Sequence, residues 1–356
     1  MNSKVKNTLK KQHYALVGEH SGIQICRWTK KSLRDEGCCY KEKFYGISSH
    51  KCCQMTPCFL CQNKCLHCWR AIELDYGKIK KWSEPKKIID ESIFQQRKML
   101  SGFKGSEKTN LKKWREAQNP EQFAISLSGE PTIYPRLGEL ILELRKRGKT
   151  SFLVTNGLLP ERIQELMKKK ALPTQLYVSL NYPDEKVFRK ITKNKARNSW
   201  KKLMKTLELI KKLKKKTRTV VRINLIRNLN MQDDMIEDYA KLVEKANPDF
   251  IEIKGYMSVG FARQRLGYER MPLHSEIKNF SEKLLKFLKC QEPWAKATKQ
   301  VRFLSIVKML ISMLKPKGFA SILKSEKYKF LDDKKESRVV LLGKSRKDMK
   351  INESEI

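Results

Sequence analysis

From about residue 120 the chain alternates short β-branched or apolar runs with longer stretches whose apolar positions recur at helical spacing. This is the sequence form of repeated βα units. It predicts strands at Phe123 to Leu127, Ser151 to Thr155, Leu176 to Leu180, Val220 to Ile226 and Phe250 to Ile253, with a sixth at Val301 to Ser305. Between them, helices are expected over Leu137 to Arg147, Pro160 to Lys169, Trp200 to Lys216 and Met235 to Lys245. Five or six such units suit an open, partial (β/α) barrel. Ser337 to Leu342 reads as a strand returning to a sheet edge, Ser101 to Asn119 as a polar insertion, and Lys344 to Ile356 as a mobile tail. Residues 1–60 show weak periodicity, so they are expected to form an irregular cap held together by a ligand or metal. No internal repeat is visible.

Composition narrows the partner. The chain has 356 residues, 40% of them apolar, enough for one large α/β domain or two smaller ones and too many for a disordered chain. Lys and Arg number 77 against 38 Asp and Glu, a net charge of +39 that makes nucleic acid or an anionic membrane face the default partner. Of these cations 57 are Lys, a bias that genome-wide composition produces as readily as function. The run Lys211 to Arg218 carries six cations and reads as a solvated helix end, where positive charge suits the dipole. The longest apolar run, Leu304 to Leu314, is broken by Lys308 and is too short for a membrane span, and Met1 to Gln12 does not resemble a secretory leader. A cytoplasmic protein is expected.

Nine of the ten cysteines fall between Cys26 and Cys68, the other being Cys290. In a chain without a leader, such clustering indicates metal binding rather than disulfides. The most informative segment is Cys61-Gln-Asn-Lys-Cys65-Leu-His-Cys68-Trp69, a C-x3-C-x2-C pattern. Three thiolates at this spacing converge on one side of a tight loop, and soft thiolates select zinc or an iron–sulfur cluster. Zinc normally takes a fourth protein ligand. No second Cys pair follows, and His67 would point away from the focus of the thiols. A four-iron cubane held by three Cys leaves one iron open for a substrate.

This segment, followed by βα units, resembles the radical S-adenosylmethionine (SAM) superfamily, with Trp69 as the aromatic residue usual after the third Cys. The resemblance implies SAM bound at the open iron. Ser128-Gly129-Glu130-Pro131-Thr132 is similar to the superfamily's turn that receives the SAM ammonium, which makes Gly129 and Glu130 candidate cofactor residues. Asn156 in Thr155-Asn156-Gly157, and Ser179 and Asn181 in the next turn, are candidates for the SAM carboxylate or ribose. Each also suits an ordinary turn or cap. Arg222 would pair the carboxylate or form a structural salt bridge.

Upstream, Cys26, Cys38, Cys39, Cys52, Cys53 and Cys58 leave the ligand choice open on spacing alone. The runs Cys26-Arg-Trp28-Thr-Lys-Lys, Cys39-Tyr-Lys-Glu-Lys-Phe-Tyr-Gly-Ile47 and Ser49-His-Lys-Cys52-Cys-Gln-Met-Thr-Pro57 resemble the archaeal tRNA 4-demethylwyosine synthases, over roughly residues 20–345. That resemblance implies a second [4Fe-4S] cluster on Cys26, Cys39 and Cys52, with Cys38, Cys53 and Cys58 as bystanders. The implied fold is a partial (β/α)6-type radical SAM barrel over residues 59–310, with an N-terminal Cys-rich cap over 1–58 carrying the second cluster. An extension over 311–343 would pack on the barrel, before a flexible tail over 344–356. The spacing from Cys52 to Cys61 is one residue shorter than relatives lead us to expect, Asn181 stands where Asp is expected, and Phe261-Ala-Arg263-Gln-Arg265 is less Ser/Arg-rich. The flavodoxin-like domain of eukaryotic relatives is not seen, so electrons are expected from a separate donor protein.

The implied reaction condenses N1-methylguanosine-37 of tRNA(Phe) with pyruvate to 4-demethylwyosine, a carbon–carbon lyase chemistry. The cluster on Cys61, Cys65 and Cys68 would reduce SAM to a 5′-deoxyadenosyl radical that takes hydrogen from the N1-methyl group. Pyruvate would bind the open iron of the second cluster, or form a Schiff base with Lys41 or Lys254. Glu130 and Glu252 are acid/base candidates or salt-bridge partners. Base 37 would be splayed from its loop onto Trp28, Phe44, Tyr45 or Trp69, with Tyr256, Arg263 and Arg265 on another wall. A monomer without membrane contact is expected. The alternatives are a radical SAM enzyme acting on another RNA or protein, and a zinc-dependent RNA-binding module.

Overall fold

The computed structural model describes residues 1–289, 327–352 and 355. Its framework is a ten-stranded sheet built from β1 (Ala15–Val17), β2 (Ser21–Ile23), β3 (Cys52–Thr56), β4 (Gln122–Ile125), β5 (Thr150–Thr155), β6 (Gln175–Ser179), β7 (Arg218–Leu225), β8 (Phe250–Gly255), β9 (Lys329–Lys334) and β10 (Val339–Gly343). The spatial order is β1-β2-β3-β4-β5-β6-β7-β8-β10-β9. Six consecutive strands, β3 to β8, pair in parallel. Antiparallel strands flank them, β1 and β2 on one side, β10 and β9 on the other.

Helices Pro85–Leu100, Leu137–Lys146, Pro160–Lys168, Ser199–Leu213 and Ile236–Ala246 alternate with these strands. Their ends follow local chemistry. Pro160 opens its helix at the first turn, where a missing N–H costs nothing, and Asn247 closes another in the left-handed region. Leu140, Ile141, Leu144, Ile163 and Leu166 meet Phe123, Ile125 and Leu153 on the helical side of the sheet. Alternation along each strand turns Phe152, Tyr177, Val220, Phe250 and Leu341 to the other face, where Tyr40, Phe44 and Tyr45 cover them. The barrel interior is therefore a packed aromatic core closed by the helix Tyr40–Tyr45.

The five expected strands from Phe123 to Ile253 appear as β4 to β8, with ends that differ by two residues at most. Val301 to Ser305 lies outside the described residues. Four features differ from expectation. The parallel sheet begins inside the expected cap, because β3 pairs along its length with β4. The strand at Ser337 to Leu342 is β10, internal to the sheet, because β9 pairs on its outer side. The insertion Ser101 to Asn119 contains the helix Leu111–Ala117. Finally, the tail lies against the barrel: Met349 is buried, and Arg218 donates to the carbonyls of Asp348 (2.7 Å) and Met349 (2.7 Å) and pairs with Glu355. Among the described residues no helix is long and apolar enough to cross a membrane.

Candidate active site

Two sets of three thiols, Cys61, Cys65 and Cys68 in one and Cys26, Cys39 and Cys52 in the other, lie close enough within each set to influence one another electrostatically. All nine cysteines from Cys26 to Cys68 are free. Cys61, Cys65 and Cys68 lie on the loop that follows β3. Burial pushes the Cys61 thiol up to about 11, and Cys68 adds to the shift. It raises Cys65 further, with Cys61 and Cys68 contributing next. Such thiols ionise when a metal takes the proton's place, so the donor set fits an iron–sulfur cluster. Among the described residues, no three His, Cys, Asp or Glu side chains are arranged to hold a single metal ion.

The loop is pinned rather than free. Lys64 N–H donates to Thr192 O (2.8 Å), Leu66 N–H to Ile191 O (2.9 Å), and Asn194 to the Asn63 side chain (2.7 Å). Arg70, which the sequence did not single out, donates to Phe59 O (2.6 Å) and Asn63 O (3.1 Å) from a buried position. Gly129 has a φ of 72° and packs so closely that a Cβ there would stand 2.1 Å from Cys58 O. Only glycine fits this position.

Glu130 is buried, and burial raises its pKa. Its carboxylate accepts from Thr132 N–H (3.1 Å) and hydroxyl (2.6 Å), Thr155 hydroxyl (2.7 Å) and Asn156 N–H (2.7 Å). It thus orders two turns, the one after β4 and the one after β5. Asn156 Nδ2 lies 3.6 Å from Cys61 Sγ and 3.2 Å from Gln62 Oε1, at the cluster loop. Asn181 Oδ1 accepts from Asn224 N–H (2.9 Å), and its Nδ2 stands 3.4 Å from His67. Burial, with Arg265 second, lowers the His67 pKa to about 4, so the ring is neutral.

Cys26 and Cys39 each occupy the position before the first turn of a helix, Arg27–Ser32 and Tyr40–Tyr45, and Cys39 Sγ accepts from Lys41 N–H (3.5 Å). Cys52 begins β3. Strand alternation separates the doublet: Cys53 and Met55 point into the helix-side core, so Cys52 faces the cap. Burial pushes Cys39 up to about 11 and Cys52 to about 12, and Cys26 adds to both shifts. Cys53 and Cys58 are core residues, and Cys38 lies 3.8 Å from Lys334 Nζ.

Lys41 and Lys254 both stand at this upstream group. Lys41 Nζ lies 4.9 Å from the Phe152 ring centroid and 5.1 Å from that of Tyr177, and Lys254 Nζ 4.9 Å from that of Tyr40. Burial lowers the pKa of each, Arg222 lowers it further, and Cys39 opposes the shift. Ser179, Arg222 and Glu252 sit in register on β6, β7 and β8. Arg222 is paired with Glu252 and donates to Tyr40 OH (2.9 Å), with its guanidinium over Tyr177. Those bonds tie Arg222 to the upstream group.

The aromatics divide. Phe44, Tyr45 and Tyr256 are buried and serve as packing, not as surfaces for a base. Trp28 is half-buried beneath Arg27, Lys31 and Lys334, and Trp69 is 42% exposed. Tyr268, 59% exposed under Arg263, escaped the sequence reading because a single tyrosine in a loop has no periodicity to mark it.

Comparison with known proteins agrees with this geometry. A model of the radical SAM superfamily matches residues 55–243, and one of wyosine base formation matches 245–291. The S-adenosyl-L-methionine-dependent tRNA 4-demethylwyosine synthase of Pyrococcus abyssi is 47% identical over 291 residues, 81% of this chain and 84% of the relative. A structure of TYW1 with a lysine–pyruvate adduct bound is 34% identical, with a TM-score of 0.77 over 99% of both chains. A crystal structure of archaeal TYW1 is 31% identical, with a TM-score of 0.67 over 99% of both. The paired thiol groups, the six parallel strands and these likenesses converge on one assignment: the chain belongs to the tRNA 4-demethylwyosine synthase family of the radical SAM superfamily.

Proposed function

We propose that this enzyme of wyosine biosynthesis condenses N1-methylguanosine-37 of tRNA(Phe) with pyruvate to form 4-demethylwyosine, using SAM and two [4Fe-4S] clusters. The observation that carries the reading is the second thiol group, Cys26, Cys39 and Cys52, with Lys41 and Lys254 beside it. Cys61, Cys65 and Cys68 would hold the first cluster, with Gly129, Glu130 and Asn156 shaping the adjoining SAM site. When bound, that cluster and SAM supply a 5′-deoxyadenosyl radical.

Lys41 is the amine we assign to pyruvate. It is 7% exposed, and burial favours its neutral, nucleophilic form. Its Nζ would add to C2 of the keto acid, releasing water and forming an imine that holds the carbon chain. Lys254, less buried, supplies positive charge for the carboxylate. A relative's structure with a lysine–pyruvate adduct supports this choice over oxygen ligation by the cluster alone. Ser179 and Asn181 are assigned to the SAM side of the barrel and Arg222 to the pyruvate side. Electrons are assigned to a separate donor protein.

The test is incubation of the anaerobically reconstituted protein with methylated tRNA, SAM, pyruvate and a reductant, followed by nucleoside mass analysis. The product is expected only with pyruvate present; product without it would overturn the reaction. Borohydride should trap a pyruvate adduct that Lys41→Ala loses and Lys254→Ala retains. Iron should number about eight per chain and fall to about four in a Cys26/Cys39/Cys52 triple Ala variant. About four in the wild type would sink the second cluster, and stoichiometric zinc would favour an RNA-binding module.

A further inference from the structure

Arg265 has an inward role. It lies on the short helix Ala262–Leu266, and its side chain is 13% exposed. Nε donates to Leu66 O (3.0 Å), one terminal nitrogen to Glu73 (2.7 Å), and the other to Arg70 O (3.2 Å) and Cys68 O. Each of its three nitrogens therefore has an acceptor, and three of those acceptors are carbonyls of the loop bearing Cys65 and Cys68. Four of its five N–H donors are thus spent on this loop and Glu73, which leaves one for any other partner.

The neighbouring backbone makes the same contact. Phe261 N–H donates to Trp69 O (3.1 Å), and a Cβ on Gly260, whose φ is 55°, would stand 2.7 Å from that same oxygen. The helix is fixed in turn by Tyr256, which is buried after β8 and donates to Ala262 O (3.0 Å). The loop is thus gripped on one side by Ile191, Thr192 and Asn194 and on the other by residues 260–265. The second grip lies within the stretch matched by the wyosine-formation model.

We infer that Arg265 is a positioning residue: through the carbonyls of Leu66, Cys68 and Arg70 it sets the orientation of the cysteine loop, and so the presentation of the cluster to SAM. A partly buried carbonyl that loses its donor turns toward water. A peptide turned at Cys68 would carry its Sγ with it. The role needs the planar fork, because a lysine offers one point charge and cannot span three carbonyls and a carboxylate. The inference rests on the assignment of Cys61, Cys65 and Cys68 as cluster ligands.

The test uses Arg265→Lys and Arg265→Ala in the full chain, with Arg136→Lys as a control for loss of a paired guanidinium elsewhere. In cluster-free protein, hydrogen exchange of amides 65–71 should quicken about 10- to 100-fold in both Arg265 variants. Exchange in β5 to β7 should not change. After anaerobic reconstitution, the variants should keep wild-type iron content, yet the paramagnetic spectrum of the reduced cluster should respond weakly or not at all to SAM. 5′-Deoxyadenosine formation should fall about 10- to 100-fold, without recovery in Arg265→Lys. Wild-type exchange together with a wild-type SAM response in Arg265→Lys would overturn the inference. Failure of wild-type protein to bind iron through Cys61, Cys65 and Cys68 would overturn the ligand assignment, while the exchange experiment would still decide whether Arg265 holds the loop.

Discussion

Arg222 Nε and Glu252 Oε2 stand 2.9 Å apart on adjacent strands, and Glu252 is wholly shielded from solvent. The same carboxylate accepts from Tyr45 OH (2.7 Å) and Tyr40 OH (3.2 Å), so one buried acid joins two barrel strands to the cap helix. Removing one partner of such a pair strands the other. Glu252→Ala is expected to destabilise the cluster-free protein by about 3–5 kcal/mol, read from urea unfolding. Glu252→Gln, which keeps the acceptor oxygen, should cost less. A change within about 1 kcal/mol for the alanine variant would show that the pair is not structural.

Gly129 governs how closely the turn after β4 approaches the backbone at Cys58 and Phe59. Gly129→Ala must relieve both a left-handed backbone strain of about 1–3 kcal/mol and the overlap with Cys58 O. The loop carrying Cys61 should move, with loss of iron from the first cluster and lowered thermal stability even without iron. Full iron occupancy and an unchanged melting temperature would contradict this reading of the turn.

His20 gives the fold a dependence on pH away from either thiol group. It is buried against Trp82 and Tyr134, accepts from Ser83 N–H at Nε2 (2.8 Å) and donates from Nδ1 to Pro57 O (2.8 Å). Burial lowers its pKa below 6.5. The unfolded chain then binds the proton first, so stability falls as pH drops below 6.5, by roughly 1 kcal/mol per pH unit until the folded form also titrates. Urea unfolding of cluster-free protein between pH 7.5 and 5.5 should show this slope, and His20→Gln should flatten it. An equal slope in both proteins would assign it elsewhere.

Tyr268 and Arg263 form an exposed cation–aromatic pair, 5.0 Å from guanidinium carbon to ring centroid, beside the loop that carries Trp69. Stacking of an unpaired base on such a ring is worth about 1–3 kcal/mol. Tyr268→Ala should weaken tRNA binding by that amount and leave the iron content unchanged. Affinity for tRNA should also fall steeply with salt, because a chain of net charge +39 releases phosphate counterions when it docks. A shallow salt response would argue against an extensive basic surface.

The central strands were legible because each buries both faces and so carries an apolar run, as in Phe152–Leu153 and Val220–Val221. β3 was not, because its sequence Cys-Cys-Gln-Met-Thr reads as part of a cysteine cluster. β1 and β2 have three residues each, and β9 is charged at four of its six positions, so none has a pattern to detect. Spacing alone left the Cys52/Cys53 doublet open, and the family resemblance chose Cys52. Alternation along β3, which places Cys53 in the core, adds a physical reason that the sequence did not show. Phe44 and Trp69 look alike as aromatics near cysteines, yet one is core and the other exposed. Arg263 and Arg265 are two residues apart on a single helical turn, and only the carbonyls they face separate an outward cation from an inward clamp.

The sheet ends at β1, which is three residues long, and at β9, which carries Lys329, Asp332, Asp333 and Lys334. A short edge and a charged edge are poor templates for strand addition by another molecule. On the proposed assignment of thiols to iron, the chain persists for a time before iron is loaded. Blunted edges suit that interval: the cluster-free protein can remain dispersed long enough to be loaded.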